Sequence, residues 1–120
     1  MEFRKQKSIY HQIADLLSDR ILASEWKQGE RMASVRDVAE QLSVNPNTVL
    51  RAFDLLQESG IIFNRRGVGY FVADDARAVI HNLQKEEFFR DELPLLVQRL
   101  KTLDISLDLL NEAIKKQFEK

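Results

Sequence analysis

The sequence predicts a mostly α-helical protein with one small β-hairpin: a winged helix-turn-helix followed by a two-helix C-terminal tail. Three observations carry that prediction. Two short amphipathic segments, residues 34–42 and 45–59, meet at the tight turn Ser43-Val44. A glycine-tipped hairpin with two adjacent arginines follows over residues 61–72. Beyond Asp75 apolar residues recur at helical spacing, with one proline inside the run. The division falls between a head of residues 1–74 and a tail of residues 75–120.

The first element of the head is a helix over residues 8–24, in which Ile9, Ile13, Leu16, Leu17 and Ile21 keep one face apolar. Its expected place is behind the two motif helices, as a scaffold. Trp26 reads as a lid on the core and Lys27-Gln28-Gly29-Glu30 as a turn. Arg4, Lys5 and Lys7, ahead of the helix, read as a solvated end, with phosphate contact as the alternative.

In the first motif helix Val35, Val38, Ala39 and Leu42 fall at i, i+3, i+4 and i+7. Ser34 is a good N-cap, and Asp37 suits the positive helix end. Asn45 caps the second helix, and Pro46 takes its first position, where the missing N–H removes no intrahelical bond. Val49, Ala52, Phe53 and Leu56 form the buried stripe; Asn47, Leu50, Arg51, Asp54 and Glu58 occupy the opposite face. No acid lies between Gln41 and Phe53, so the leading half of this helix can approach phosphate without repulsion. Its positive dipole end and free backbone N–H groups are expected to help there. Gly60 closes the helix.

Ile61-Ile62-Phe63 is a strand-like run, Arg65-Arg66-Gly67-Val68-Gly69 a turn, and Tyr70-Phe71-Val72 the return strand. Residues 59–73 hold two positive charges and no negative one. A basic hairpin tip suits a minor groove or the phosphate backbone. Helix, turn, helix and basic wing in this order point to double-stranded DNA as the partner, with the second helix in the major groove.

Residues 9–72 resemble the DNA-binding domain of the GntR family of bacterial transcription regulators. The matching residues are Ile9-Tyr10-His11-Gln12-Ile13-Ala14, Gly29-Glu30-Arg31, Ser34-Val35-Arg36-Asp37-Val38-Ala39, Asn47-Thr48-Val49, Arg51-Ala52, Gly60-Ile61-Ile62 and Gly67-Val68-Gly69-Tyr70-Phe71-Val72. The short helical tail is similar to that of the YtrA-like subfamily; this length leaves no room for the larger effector domains of other subfamilies. The resemblance implies DNA contacts for Arg36, for Asn45, Asn47, Thr48 and Arg51 along the recognition helix, and for Arg66 and Gly67 at the wing tip; Ser34, Pro46, Leu50 and Arg65 beside them complete the candidate DNA-binding set. Three positions depart from the family pattern: Ala33 replaces a usual proline, Pro46 a frequent arginine, and Leu50 the first of two paired arginines. The Asn-Pro-Asn-Thr form at Pro46 is common in YtrA-like members. Leu50 either touches a thymine methyl or lies on the outer face. The resemblance further implies a repressor of a nearby operon.

An apolar share of 44% is ordinary for a folded protein. No apolar run is long enough to cross a membrane, and no signal-peptide pattern is present. The absence of cysteine fits a reducing cytoplasm, the expected location. A net charge of −1 is unusual for a DNA binder, so the local distribution of charge must decide.

In the tail, Val79, Ile80, Leu83, Phe88, Phe89, Leu93, Leu96, Val97, Leu100 and Leu103 predict one helix from about Asp75 to Thr102. Pro94 bends it, at ~3 kcal/mol unless the bend is used. Asp104-Ile105-Ser106 breaks the helix, Ser106 caps the next, and Leu107, Leu110, Ala113, Ile114 and Phe118 line it. Two helices of this length cannot bury so many apolar groups alone. A two-fold homodimer is therefore expected, through Leu83, Phe88, Phe89, Leu93, Leu96, Val97, Leu100, Leu107, Leu110 and Ile114. Such a dimer requires an inverted-repeat site. The alternative is a monomer whose tail folds back on the head.

Catalysis finds little support. His11 and His81 lie far apart, Gly67-Val68-Gly69 lacks the following helix of a phosphate loop, and the acids Glu86, Glu87, Asp91 and Glu92 read as a solvated face. No cofactor and no metal site are expected. Two other function classes stay open: a sensor of an unidentified small-molecule effector acting through the tail, and a winged domain that binds protein.

Overall fold

The computed structural model describes residues 7–120. Their order is α1 (Ile9–Leu22), α2 (Val35–Leu42), α3 (Pro46–Glu58), β1 (Ile62–Arg65), β2 (Gly69–Val72), α4 (Ala76–Glu87), a π-helical turn at Phe88–Glu92, α5 (Leu93–Thr102) and α6 (Leu107–Phe118). Arg4 and Lys5 lie outside the described residues. The chain divides into two compact units, one ending at Leu83 and one spanning Gln84–Lys120.

Side-chain caps start the head helices where the sequence places them. Ser8 caps α1. Ser34 Oγ accepts the Asp37 N–H of α2 at 3.0 Å. Asn45 Oδ1 accepts the Asn47 N–H of α3 at 2.8 Å. Helix α2 stops because Ser43 turns into the left-handed region at φ 54°, which lets the Val44 N–H reach back to the Ala39 carbonyl. Gly60, with φ 82°, does the same one residue beyond Ser59, the C-cap of α3.

Helix α3 is the centre of the head. Its Val49, Ala52, Phe53 and Leu56 are buried with Ile13, Ala14, Leu17 and Ile21 of α1, Val38 and Ala39 of α2, and Ile62 and Val72 of the hairpin. Phe53 is 0% exposed and meets the Tyr70 ring edge-on, with centroids 4.8 Å apart. Burial first, and the charge of Asp54 second, push the Tyr70 phenol above its usual range. The wing is thus tied to the back of α3. Trp26 is half-buried over the core, as a lid.

Ile9 and Leu16, expected on the buried face of α1, are exposed. The buried stripe runs through Ile13, Leu17 and Ile21 with the small residues Ala14 and Ser18 beside it. Those small side chains let α3 approach, and this turns Ile9 and Leu16 to the flank.

Two strands pair antiparallel in the register Ile62↔Val72 to Arg65↔Gly69. A third extended piece, absent from the expected elements, pairs with β2. Arg31 bridges Phe71, the Met32 N–H donates to the Tyr70 carbonyl at 2.9 Å, and the Gly29 N–H donates to the Val72 carbonyl at 2.8 Å. It is too short for strand periodicity to show. The turn before it is held by the Glu30 carboxylate, which accepts the Lys27 N–H at 2.6 Å.

The head continues beyond the expected junction at residues 74 and 75. Ala76 and Ile80 of α4 are buried in its core. The Arg77 guanidinium donates to the Leu22 carbonyl at 2.8 Å and to the Ile21 carbonyl at 3.4 Å, satisfying the C-terminal end of α1.

Between Ala76 and Thr102 the expected single bent helix is resolved into α-helix, π-turn and α-helix. Pro94 lacks an N–H and its ring crowds the carbonyl four residues back, at Arg90. The wider turn at Phe88–Glu92, in which the Leu93 N–H reaches the Phe88 carbonyl, contains that carbonyl. Asp104 then breaks the helix at φ 56°, and Ser106 Oγ accepts the Leu109 N–H at 3.1 Å to start α6.

Phe53→Ala opens a cavity under both α3 and Tyr70. It is expected to cost about 3–5 kcal/mol of head stability, read by urea denaturation. A loss under about 1 kcal/mol would contradict the central role of Phe53.

Candidate nucleic-acid interface

Burying one stripe of α3 fixes which side chains it offers to solvent. Asn47, Leu50, Arg51, Asp54 and Glu58 are exposed, as are Asn45 and Pro46 before them; Thr48 is half-buried. Asn47 and Arg51 stand one turn apart on one face. Leu50, 40% exposed, lies beside them. Ser34 and Arg36 at the start of α2 are exposed, and so are Arg65, Arg66 and Gly67 at the wing.

The expected free N–H groups at the start of α3 are not there. Pro46 has none, the Asn47 N–H is taken by Asn45 Oδ1, and the Thr48 and Val49 N–H groups both donate to the Asn45 carbonyl, at 3.0 and 3.2 Å. The cap that fixes the helix start also uses up its donors. A ligand meeting this end therefore meets side chains and the helix dipole, not backbone N–H groups. At α2 the cap covers only the Asp37 N–H, so the N–H groups of Val35 and Arg36 have no partner among the described residues.

The electrostatics come from what is left unneutralised. Arg31, Arg36, Arg51, Arg65 and Arg66 have no ion-pair partner among the described residues. Elsewhere, Lys7 pairs with Asp15 at 2.7 Å, Arg20 with Glu25 at 3.8 Å and Arg90 with Asp91 at 3.0 Å. A chain of net charge −1 thus keeps bare cations on its motif.

Two of these cations rest on aromatic rings. The Arg51 guanidinium lies 4.3 Å from the centre of the Tyr10 ring. The Arg65 guanidinium lies 4.9 Å from the centre of Phe71, which stacks on Phe63 at 5.7 Å. At the tip the Val68 N–H donates to the Arg65 carbonyl, and Gly67 has φ 77°, a conformation that L side chains rarely adopt. Arg31 lies against Gly69: a Cβ there would stand 2.8 Å from its Nε. The wing therefore carries three arginines, one more than the hairpin sequence shows. The missed residues left partial signals, Arg31 in the run Gly29-Glu30-Arg31 and Tyr10 in the first matched segment.

Among the described residues no cluster of three or more His, Asp or Glu could hold a metal, and no helix is long and apolar enough to cross a membrane. A cavity of about 130 Å³ lies between the end of α1 and the start of α4, lined by Ile21, Trp26, Val72, Ala76 and Arg77 among others. Small-molecule sites are usually several hundred Å³.

A capped helix pair joined at Ser43, a second helix with a polar outer face, and a basic hairpin behind it define a winged helix-turn-helix protein. Residues 9–72 match the model of the bacterial regulatory proteins of the gntR family, and the chain belongs to that family: it is a DNA-binding transcriptional regulator. It is 36% identical over 114 residues to the HTH-type transcriptional regulator YhcF of Bacillus subtilis, covering 95% of this chain and 93% of that protein. It is 30% identical to the HTH-type transcriptional repressor YtrA of the same organism, over 93% and 85% of the two chains. A GntR-family transcriptional regulator from Bacteroides thetaiotaomicron superposes with a TM-score of 0.82 at 38% identity, covering 93% of this chain and 97% of that one. The YtrA-like resemblance thus extends through the tail.

Asn45→Ala removes the cap and leaves the Asn47 N–H without its acceptor. It is expected to lower head stability by about 0.5–2 kcal/mol in urea melts. An unchanged midpoint would show that the cap does not hold α3.

Proposed function

We propose that this regulator is a repressor that binds an inverted-repeat operator as a homodimer joined through its tail. The observation that carries the proposal is the state of the second unit. None of the buried core residues lies in Gln84–Lys120, while Phe89 is 62%, Leu107 69% and Phe118 85% exposed. Leu83, Phe88, Leu96, Val97 and Ile114 are also exposed; Leu93, Leu100 and Leu110 are half-buried within the single chain. Apolar surface of this extent is normally covered by a partner, and a second copy supplies a self-complementary one. Leu103 and Leu109, outside the expected set, join the exposed apolar groups. Repression is supported by the similarity along most of both chains to a protein named as a repressor.

In this reading Asn47, Arg51 and Leu50 meet base edges in the major groove, with Asn45, Pro46 and Thr48 at the leading end of the helix. Ser34 and Arg36 hold the phosphate backbone, and Arg65, Arg66 and Gly67 follow the groove beside it. Arg31 adds a cation to the wing. Few phosphate contacts give a modest salt dependence.

Selection from a random-sequence duplex pool, followed by a footprint on the upstream DNA of the chain's own gene, tests the reading. It expects an inverted repeat; a single half-site, or equal weak binding to every duplex, would end it. On the selected duplex Arg51→Ala is expected to lose about 1–3 kcal/mol and to relax one base position. Arg66→Ala should weaken all duplexes evenly and reduce the salt slope by about 1. Phe89→Glu, at an exposed site outside the head core, should leave the head folded and convert the dimer to monomer in sedimentation. A wild-type monomer at micromolar concentration would refute the tail assignment.

A further inference from the structure

The aromatic ring that meets Arg51 belongs to α1. The Arg51 guanidinium sits over the face of Tyr10, 4.3 Å from the ring centre, with no hydrogen bond or ion pair among the described residues. The Tyr10 ring also meets the His11 imidazole, centroids 4.5 Å apart and tilted by 32°, and that imidazole is held by the Ser8 hydroxyl through its Nδ1 at 2.7 Å. Tyr10 is half-buried and packs against the head core. The platform under Arg51 is therefore a fixed part of the scaffold helix.

A ring face attracts the guanidinium charge without offering a lone-pair acceptor, so the contact leaves the Arg51 N–H donors without a hydrogen-bond partner among the described residues. The five N–H donors lie in the plane of the group and point outward. An arginine lying on a ring thus keeps the paired donors that match O6 and N7 of a guanine, while its long side chain loses rotamer freedom before DNA arrives. A free arginine would lose that freedom on binding. Arg65 on Phe71 is held by the same kind of contact, but by a ring of its own hairpin. At Arg51 the platform comes from a different helix, so α1 takes part in setting what α3 reads.

We propose that Tyr10 is a positioning residue for DNA recognition: its ring presets Arg51 for bidentate contact with a base, and so helps to set sequence preference without touching the base itself. The proposal rests on the reading of Arg51 as a base-contacting residue. It requires the ring and not the hydroxyl, so Tyr10→Phe should retain affinity and Tyr10→Leu should not.

The test is a double-mutant cycle on the duplex selected by the wild-type protein, with binding measured for wild type, Tyr10→Phe, Tyr10→Leu, Arg51→Ala and Tyr10→Leu/Arg51→Ala. Thermal melts alongside confirm that each variant is folded at the assay temperature. Tyr10→Leu is expected to weaken binding about two- to five-fold. Tyr10→Phe should stay at the wild-type value, and Tyr10→Leu should have no further effect once Arg51 is alanine. The Tyr10→Leu loss should also vanish on random-sequence duplex, which a general loss of structure would not produce. Wild-type affinity in Tyr10→Leu, or a loss that adds fully to that of Arg51→Ala, overturns the proposal while the DNA reading stands. Tighter binding by Tyr10→Leu overturns it too, because the ring would then hold Arg51 away from DNA. If Arg51→Ala itself changes nothing, the base-contact reading of Arg51 fails and the proposal falls with it.

Discussion

The head depends on one constraint: α3 must bury Val49, Ala52, Phe53 and Leu56 together. These residues span i, i+3, i+4 and i+7, and none is more than 2% exposed. Once that stripe is inside, the rotation of the helix about its axis is no longer free. Asn47, Leu50, Arg51, Asp54 and Glu58 face out because nothing else is geometrically available to them. Turning the helix by one residue would bury the Arg51 charge without a partner, which costs several kcal/mol by the usual penalty for an unpaired ion. The wing inherits its place from the same contact, through the edge-on meeting of Tyr70 with Phe53. Reading helix and wing are therefore set by one piece of packing, and a fault in it would displace both.

Charge explains how a chain of net charge −1 can bind a polyanion. Overall charge governs long-range attraction, which is screened over roughly 10 Å in ordinary salt. Contact is governed by which cations are already neutralised. Lys7, Arg20 and Arg90 are ion-paired, and all three lie outside the helix-turn-helix and wing. The arginines of the motif are held, where they are held, by aromatic faces. An aromatic face orients a guanidinium without cancelling its charge or occupying its donors, whereas a carboxylate would do both.

Most of the head was legible in the sequence, because its signals are local. Ser34 and Asn45-Pro46 announce helix starts, Ser43 and Gly60 mark stops, and Gly67 marks the turn. What stayed hidden was non-local or depended on a count of hydrogen bonds. The Arg31–Phe71 bridge joins residues far apart through a segment too short for alternation. The stacking of Arg51 on Tyr10 joins two helices. The continuation of the head to Leu83 follows from Ala76 and Ile80 finding the core and Arg77 finding the end of α1, none of which spacing alone reveals. The free N–H groups expected at α3 failed for a different reason: the motif that identifies a helix start, asparagine followed by proline, is the one that removes its donors.

The two units differ in kind, and this bears on how binding is controlled. The head closes its own core, so its fold carries its own stabilisation. The second unit has a side-chain cap at α6, none at α5, and no buried residue, and a cap adds only about 1 kcal/mol against roughly 1–2 kcal/mol of backbone entropy per ordered residue. Helices in that position draw most of their stability from packing against a partner. On the proposed reading, tail ordering and dimer formation are then one equilibrium, and two linked heads bind an inverted repeat far more tightly than either alone. Affinity for the operator would rise with the concentration of the protein itself, giving a repressor a response to its own abundance with no need of an effector.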